Sequence, residues 1–437
     1  MAAASDARVA VLGGGLTGLS AGLHLERAGL SYRLFERDAV PGGHATTIEE
    51  GGFRFDRTGH LLHLRDPEMQ ALALELLPSA QYRKLARRSA VFSHGVYTRY
   101  PFQANTFGLP PEVAYECVAG FVAAHFAEHQ AEPRSFEEFC LLHFGPGISR
   151  HFMLPYNARL WGVPASEITS EWCQRFVPLP RLEDVLRGAL GAQTPEIGYN
   201  KTFWYPELGM GAFSAALAKK TRVELGRAPR ELDLERRLLR FDDEVVPFDV
   251  LISTIPLPAL LRLASRLPPE VAQAAKRLRS THLHYFDLGL SVPNPNPYHW
   301  IYVPEERYPF YRVGCYSHFS DKLAPPGKSS LYVELAERRT PNPERALAEV
   351  VTALKELGLL RSARDIELWR LRTIDYAYVI YDHHYRAALD VIEPFLTRER
   401  IISSGRYGGW NYSSMEDALL MGRRAAADAK AWLGPSA

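Results

Sequence analysis

Apolar and polar positions change period several times along the chain, and each change marks an element. Val9, Val11 and Leu12 lie on a short apolar run that suits a strand buried on both faces of a parallel sheet. From Leu16 to Ala28 the pattern is helical, and Gly29 closes the helix. Tyr32 to Phe35 reads as a second buried strand. Asp66 to Leu77 predicts a helix, with Asp66 as cap, Pro67 at its first position and Pro78 just past its end. Met69, Leu72 and Leu76 give that helix one apolar face. Val91 to Phe102 reads as a strand pair turned at Ser93, His94 and Gly95. Residues 106–192 are mostly helical in pattern and rich in aromatics. Val223, Leu225, a charged hairpin from Glu231 to Val246 and FDVLISTIP at 248–256 form a short β unit that returns the chain to its first sheet. Residues 281–336 alternate strand-like segments with Pro and Asn turns, then come a helix at about 343–357 and strands at 366–381. The chain closes with a strand, a glycine loop and a long helix.

The junction of the first strand and helix carries the chemistry. Gly13, Gly15 and Gly18 form G-x-G-x-x-G: a tight turn, a close backbone approach to pyrophosphate, and close helix–strand contact. The helix points its N-terminal N–H groups and positive dipole end at the phosphates. Glu36 ends the second strand 18 residues beyond Gly18, near the spacing at which an acid receives the ribose hydroxyl. An acid there argues for a free 2′-hydroxyl and against a 2′-phosphate. Strand, turn, helix and acid in this order predict a dinucleotide site, which the glycines alone would not.

Composition narrows the classes. The 437 residues suit two or three lobes around a large core, or one elaborated domain. With 46% hydrophobic and 23% charged residues, nothing points to disorder. A formal net charge of +1 offers no footprint for nucleic acid or an anionic membrane. Cys117, Cys140, Cys173 and Cys315 are far apart and form no C-x-x-C, so a reducing cytoplasm is expected, without disulfides or zinc. MAAASDAR lacks the basic and apolar parts of a signal peptide, and no apolar run approaches the roughly 18 residues of a membrane span.

Gly42 and Gly43, after ERDAVP, extend the nucleotide motif. With the closing strand–loop–helix, they make the chain resemble the large flavoprotein group that contains amine oxidases, protoporphyrinogen oxidase and UDP-galactopyranose mutase. The resemblance implies FAD rather than NAD, held by Gly13, Gly15, Gly18, Glu36, Gly43 and His44 at one end. Val223, Gly405, Arg406 and Met415 would complete the site. GRYGGWNY has no cysteine, so the cofactor is expected to be non-covalent. The implied fold class is α/β: a Rossmann-like FAD-binding domain from discontinuous segments 1–90, 193–280 and 395–437, an inserted helical lobe at 106–192, and an antiparallel β-sheet substrate domain from 91–105 and 281–394.

Within that group, motifs over nearly the whole length look like those of UDP-galactopyranose mutases. RTGHLLHLRDPEM at 57–69 implies His60 beside the flavin ring. PYNARLWG at 155–162 implies Tyr156 near the uracil and Trp161 near the sugar. EWCQRFVP at 171–178 and YPFYRVGCYSHF at 308–319 imply Arg175 and Arg312 on the diphosphate. DYAYVIYD at 375–382 implies a phosphate-binding Tyr378. SGRYGGWNYSSMEDALL at 404–420 implies Arg406 against the flavin and Tyr412 on the substrate. The chain departs from the mutase pattern at Cys315 (an acid there), at Ser413 and Ser414 (an aromatic and an aspartate) and at Gln103 (an asparagine). The implied activity is a flavin-dependent nucleotide-sugar mutase that interconverts pyranose and furanose rings without net redox. The reduced flavin N5 would be the nucleophile, with His60, Arg312 and Arg406 as the catalytic set.

The residues alone leave rivals open. Arginine suits a diphosphate because its planar fork makes paired, charge-assisted bonds, but Arg175 or Arg312 singly fits a structural ion pair as well. His60 and His63, three apart, lack a third ligand nearby, so no metal is expected, and His63 reads better as a core histidine. Many aromatics are core, with Trp161 and Tyr412 the best candidates for a pocket. The rival activity is an FAD-dependent oxidase or dehydrogenase of the amine oxidase or protoporphyrinogen oxidase type. Against it, HLHYFDLGL at 282–290 lacks the lysine many amine oxidases place beneath N5. A flavin-bound binding or assembly module is the third reading.

Overall fold

The computed structural model describes residues 8–128, 131–192 and 201–434, without the side chains of Gln174 and Arg175. A five-stranded parallel sheet lies at its centre. In spatial order its strands are Ile401–Ser403, Val250–Ser253, Val9–Leu12, Tyr32–Phe35 and Val223–Glu224. Val9 aligns with both Val250 and Tyr32, so the middle strand is buried from both sides, as its apolar run requires. The strands come from widely separated stretches of chain, and FDVLISTIP does return to the first sheet.

Helices at the sheet are held by close backbone contact. The helix Leu16–Arg27 ends at Ala28, with Gly29 at φ +71°. It lies against the final helix, Met415–Leu433, where Ser20 Oγ donates to the Leu419 carbonyl at 2.7 Å. Gly422 makes this approach possible, since a Cβ there would sit 2.3 Å from the Thr17 carbonyl oxygen. The helix Pro67–Leu76 is capped by Asp66, which accepts from the N–H groups of Glu68 and Met69.

A seven-stranded sheet forms the second layer. Its order is Ile366–Val379, Ser280–Leu290, Ser329–Leu335, Phe310–Cys315, Trp300–Tyr302, Ser89–Ser93 and Val96–Arg99. All neighbours are antiparallel except Trp300–Tyr302 against Ser89–Ser93, which run parallel. His94 (φ +53°) and Gly95 (φ +78°) make the two-residue turn between the last two strands, the conformation whose twist suits a hairpin. The helices Pro111–Phe126, Phe136–Ile148, Leu154–Trp161 and Leu182–Ala189 form the helical insert, with Cys117, Phe121, Phe136, Cys140 and Phe144 in its core. All four cysteines are buried free thiols.

One element differs from the sequence reading, the charged hairpin, and two others were not read from it. Tyr82–Ala86 pairs with Thr202–Pro206 in a separate two-stranded ribbon. The charged hairpin at 231–246 is a three-stranded sheet, Glu231–Asp233, Leu238–Arg240 and Val245–Pro247. Tyr385–Arg398 is a helix despite an internal Pro394, because Ala388, Leu389, Ile392, Phe395 and Leu396 bury one face and outweigh the breaker.

Gly422→Val should lower the thermal midpoint by the equivalent of about 1–3 kcal/mol, the scale of overpacking a tight contact. Calorimetry of the purified protein would detect this, and an unchanged midpoint would show that the two helices can part without cost.

Candidate functional site

A cavity of about 1080 Å³ opens at the carboxyl ends of the parallel strands and runs under the seven-stranded sheet. That position is where open α/β sheets bind ligands. Its volume reaches the top of the usual range for small-molecule sites, roughly 300–1,000 Å³.

One end is the glycine turn. Gly13 has φ +98°, and a Cβ there would meet Thr254 Oγ1 at 2.5 Å. Thr254 Oγ1 donates to the Leu12 carbonyl at 2.9 Å, tying the turn to the next strand. Gly43 closes over Gly15, where its Cβ would lie 3.2 Å from the Gly15 Cα. Buried Glu36 accepts from the Gly14 N–H at 2.6 Å and from the Asp38 N–H at 2.8 Å, which fixes its carboxylate on the cavity wall. Gly18 and Gly405 are buried spacers, not wall: Cβ atoms there would meet the Gly13 carbonyl oxygen at 1.8 Å and Thr17 Oγ1 at 2.5 Å. Val223 sits on the edge strand beside Leu34, and the wall from that segment comes from Arg227 to Pro229.

The other end is cationic and aromatic. Arg406 makes no ion pair among the described residues; Nη1 donates to the Ser413 carbonyl at 2.7 Å and Nη2 to the Ala377 carbonyl at 3.3 Å. Its guanidinium lies 4.6 Å from the centre of the Tyr412 ring and 5.6 Å from that of Tyr378. Arg312 is different. Nη2 reaches both oxygens of the fully buried Glu334 at 2.7 Å, and also donates to the Tyr378 hydroxyl at 2.8 Å. Tyr378 thus keeps its own proton free for an acceptor in the cavity. Met415 lines the wall at the start of the final helix, whose N-cap Ser414 and Asp417 form a reciprocal capping box.

His44 and His60 also line the wall, and each has a buried Nδ1 with no hydrogen-bond partner among the described residues. Burial, and next the Arg406 charge, push His60 down to about 4. Burial, and next the neighbouring His60, push His44 down to about 3. Both rings are therefore neutral at pH 7. His63 bonds the Thr202 carbonyl at 3.1 Å and packs on Phe203, the arrangement of a core histidine, although it also touches the cavity.

Tyr156 and Trp161 do not reach the cavity wall. Tyr156 is 5% exposed and stacks on Phe152 at 5.4 Å; Trp161 is 1% exposed between Trp172 and Tyr378. The Arg175 side chain lies outside the described residues. Sequence reasoning missed Arg57, Glu334 and Tyr302. Arg57 precedes Thr58 and Gly59 in the histidine segment, and an arginine two residues before a glycine was the available signal. Glu334 carried none, since its neighbours are apolar strand residues.

Two tests show that these residues suit a large anionic dinucleotide. The glycine cradle leaves room that any side chain would fill, and six arginines face three acids around the wall. Among the described residues no group of three or more His, Cys, Asp or Glu could hold a metal. No helix there is long and apolar enough to cross a membrane.

The fold and site define a flavoprotein. Residues 16–430 match the flavin containing amine oxidoreductase family, and the chain belongs to it, with FAD as cofactor. Within that family the structure is similar to a reduced UDP-galactopyranose mutase, with a TM-score of 0.91 over 98% of this chain and 96% of that one at 26% identity. By sequence, 287 residues are 29% identical to phytoene dehydrogenase of Streptomyces griseus, covering 60% of this chain and 56% of that protein. Over 101 residues the chain is also 30% identical to protoporphyrinogen oxidase 2, chloroplastic/mitochondrial, of Arabidopsis thaliana, 23% of this chain and 20% of that one. The matches thus span about half or less of these curated relatives.

Two outcomes follow. In an NMR titration the His60 ring should keep its neutral-form shifts from pH 8 to 5 and move only as the pH falls toward about 4, because a depressed value means the proton arrives late. A midpoint near the usual 6.5 would contradict the burial described here. Glu334→Gln should cost about 3–5 kcal/mol of stability in denaturant unfolding, the scale of leaving a buried charge unpaired.

Proposed function

We propose that the protein is a flavin-dependent nucleotide-sugar mutase that interconverts pyranose and furanose forms of the sugar. The observation that carries this reading is the likeness to the mutase over essentially both full chains, at a TM-score of 0.91. The substrate would be a nucleoside diphosphate sugar, handled within the sheet-and-insert half of the molecule.

When bound in its reduced form, FAD supplies the electron-rich ring nitrogen that serves as nucleophile at the anomeric carbon. The chain's own residues manage the leaving group. The anomeric C–O bond breaks with its electron pair moving onto the diphosphate, so negative charge grows there. Arg406, which has no acid partner among the described residues, and Nη1 of Arg312, which has no hydrogen bond among them, oppose that charge. Tyr378 accepts from Arg312 and can donate its own proton to a phosphate oxygen. Neutral His60 can bond to the cofactor without adding a second positive charge beside Arg406. Tyr412 is held by its backbone N–H, which donates to the Tyr381 hydroxyl at 2.7 Å, and offers its ring to the sugar. Tyr156 and Trp161, whose hydroxyl and indole N–H have no partner among the described residues, would meet the nucleotide only after the helical insert shifts from the sheet.

A second reading is an FAD-dependent oxidoreductase. It is favoured by the sequence matches to phytoene dehydrogenase and protoporphyrinogen oxidase 2.

The deciding assay reduces the enzyme under anaerobic conditions, adds UDP-galactofuranose and follows both ring form and flavin absorbance. Pyranose product with the flavin still reduced supports the mutase, and Arg406→Ala should lower kcat/KM by roughly a hundredfold or more, the scale of losing one charge-stabilising donor. Sugar left unconverted by the reduced enzyme, together with reduction of the flavin by a desaturation substrate when the oxidised enzyme is tested in parallel, would sink the mutase and support the oxidoreductase.

A further inference from the structure

The wall that presents His60 depends on a backbone shape its sequence disfavours. Thr58 has φ +65°, in the left-handed region where a β-branched residue is a genuine outlier. Such a conformation persists only where the surroundings hold it. Here the hold is one hydroxyl. Tyr316 Oη donates to the Asp56 carbonyl at 2.5 Å and accepts from the Thr58 N–H at 3.2 Å. The same N–H also turns back on the Asp56 carbonyl at 3.0 Å, so residues 56 to 58 form a tight turn with Arg57 at its apex. Tyr316 and Asp287 are both fully buried, and Asp287 Oδ1 lies 3.2 Å behind the phenol. Asp287 is in turn fixed by Arg372, whose Nε donates to Oδ2 at 2.6 Å.

The turn has a consequence for the cavity. Arg57 and His60 both line it, one at the apex and one just beyond. Arg57 has no hydrogen bond or ion pair among the described residues, so nothing but the backbone aims it. We propose that Tyr316, backed by Asp287 and Arg372, is a positioning residue of the FAD site: it holds the 56–58 turn in its strained shape so that Arg57 and His60 face the cofactor. A cation so placed favours the more electron-rich, reduced form of the cofactor. This inference rests on FAD alone and not on the sugar, so it stands or falls separately from the mutase reading.

The test exploits the strain. Glycine adopts positive φ without penalty, so Thr58→Gly lets the turn keep its shape without the clamp. In the holoprotein, Tyr316→Phe should lower the flavin reduction potential and weaken FAD retention by roughly two- to tenfold, the scale of one buried hydrogen bond. The double variant Thr58→Gly/Tyr316→Phe should return both quantities toward wild type. Tyr205→Phe is the control, because Tyr205 bonds the Asp56 side chain at 2.7 Å and not the backbone groups that close the turn. Thr58→Gly should not rescue that variant. If Tyr316→Phe fails to fold, recovery of FAD-loaded protein in the double variant supports the clamp, and no recovery overturns it. An unchanged potential in Tyr316→Phe, or a double variant no better than the single one, also overturns it.

Discussion

The cavity exists because several segments approach one helix end more closely than side chains permit. A Cβ at Gly18 would overlap the Gly13 carbonyl, one at Gly422 would meet the Thr17 carbonyl at 2.3 Å, and one at Gly408 would meet the Ser253 carbonyl at 2.6 Å. These contacts join the first strand, the strand at 250–253 and the closing loop and helix around the N-terminus of Leu16–Arg27. Elements separated by hundreds of residues thereby share one wall. The orphan N–H groups and positive dipole ends of two helices, Leu16–Arg27 and Met415–Leu433, lie at that wall. The steric constraint thus sets up the electrostatic one.

Charge around the cavity is then arranged by partner, not by number. Arg312 is nearly neutralised by Glu334, so its strongest bonds are already made. Arg406 is balanced only by carbonyls and aromatic faces. Both half-buried histidines stay neutral, so they shape the site without competing with the arginines for an anion. The field is therefore strongest near Arg406 and Arg57. An anion or an electron-rich ring gains most at that end, while the glycine end holds its ligand by backbone N–H groups.

The nucleotide half of the molecule was readable because each of its signals is local. G-x-G-x-x-G, Glu36 and Gly43 lie within one strand–helix–strand unit, and their geometry follows from residues a few positions apart. The aromatic half was not. Tyr156 and Trp161 lie on a helix whose exposure depends on how the insert sits against the sheet, and the structure buries both. Glu334 and Tyr316 act on residues 22 and 258 positions away, through pairings that no local pattern encodes. Thr58 gave no signal either: a threonine at positive φ becomes visible only with the backbone in hand.

The departures from the mutase pattern also change meaning once placed. Cys315 lies three positions beyond Arg312 on one strand, so it faces the other side of the sheet. There it joins Phe286, Leu288 and Leu331 in an apolar cluster, where an acid would be costly and the cavity would not feel it. Gln103 spends its amide N–H on the Pro178 carbonyl at 2.9 Å, away from the wall. Ser414 caps the final helix, a task a serine does as well as an aspartate. Ser413 and Ser414 both line the cavity, and of the two only Ser413 has a buried hydroxyl with no hydrogen-bond partner among the described residues. A hydroxyl there in place of an aromatic ring leaves more room beside Arg406 and adds one hydrogen-bonding group. Under the mutase reading, Ser413 is therefore the departure that bears on which sugar is accepted, while the others preserve the frame around it.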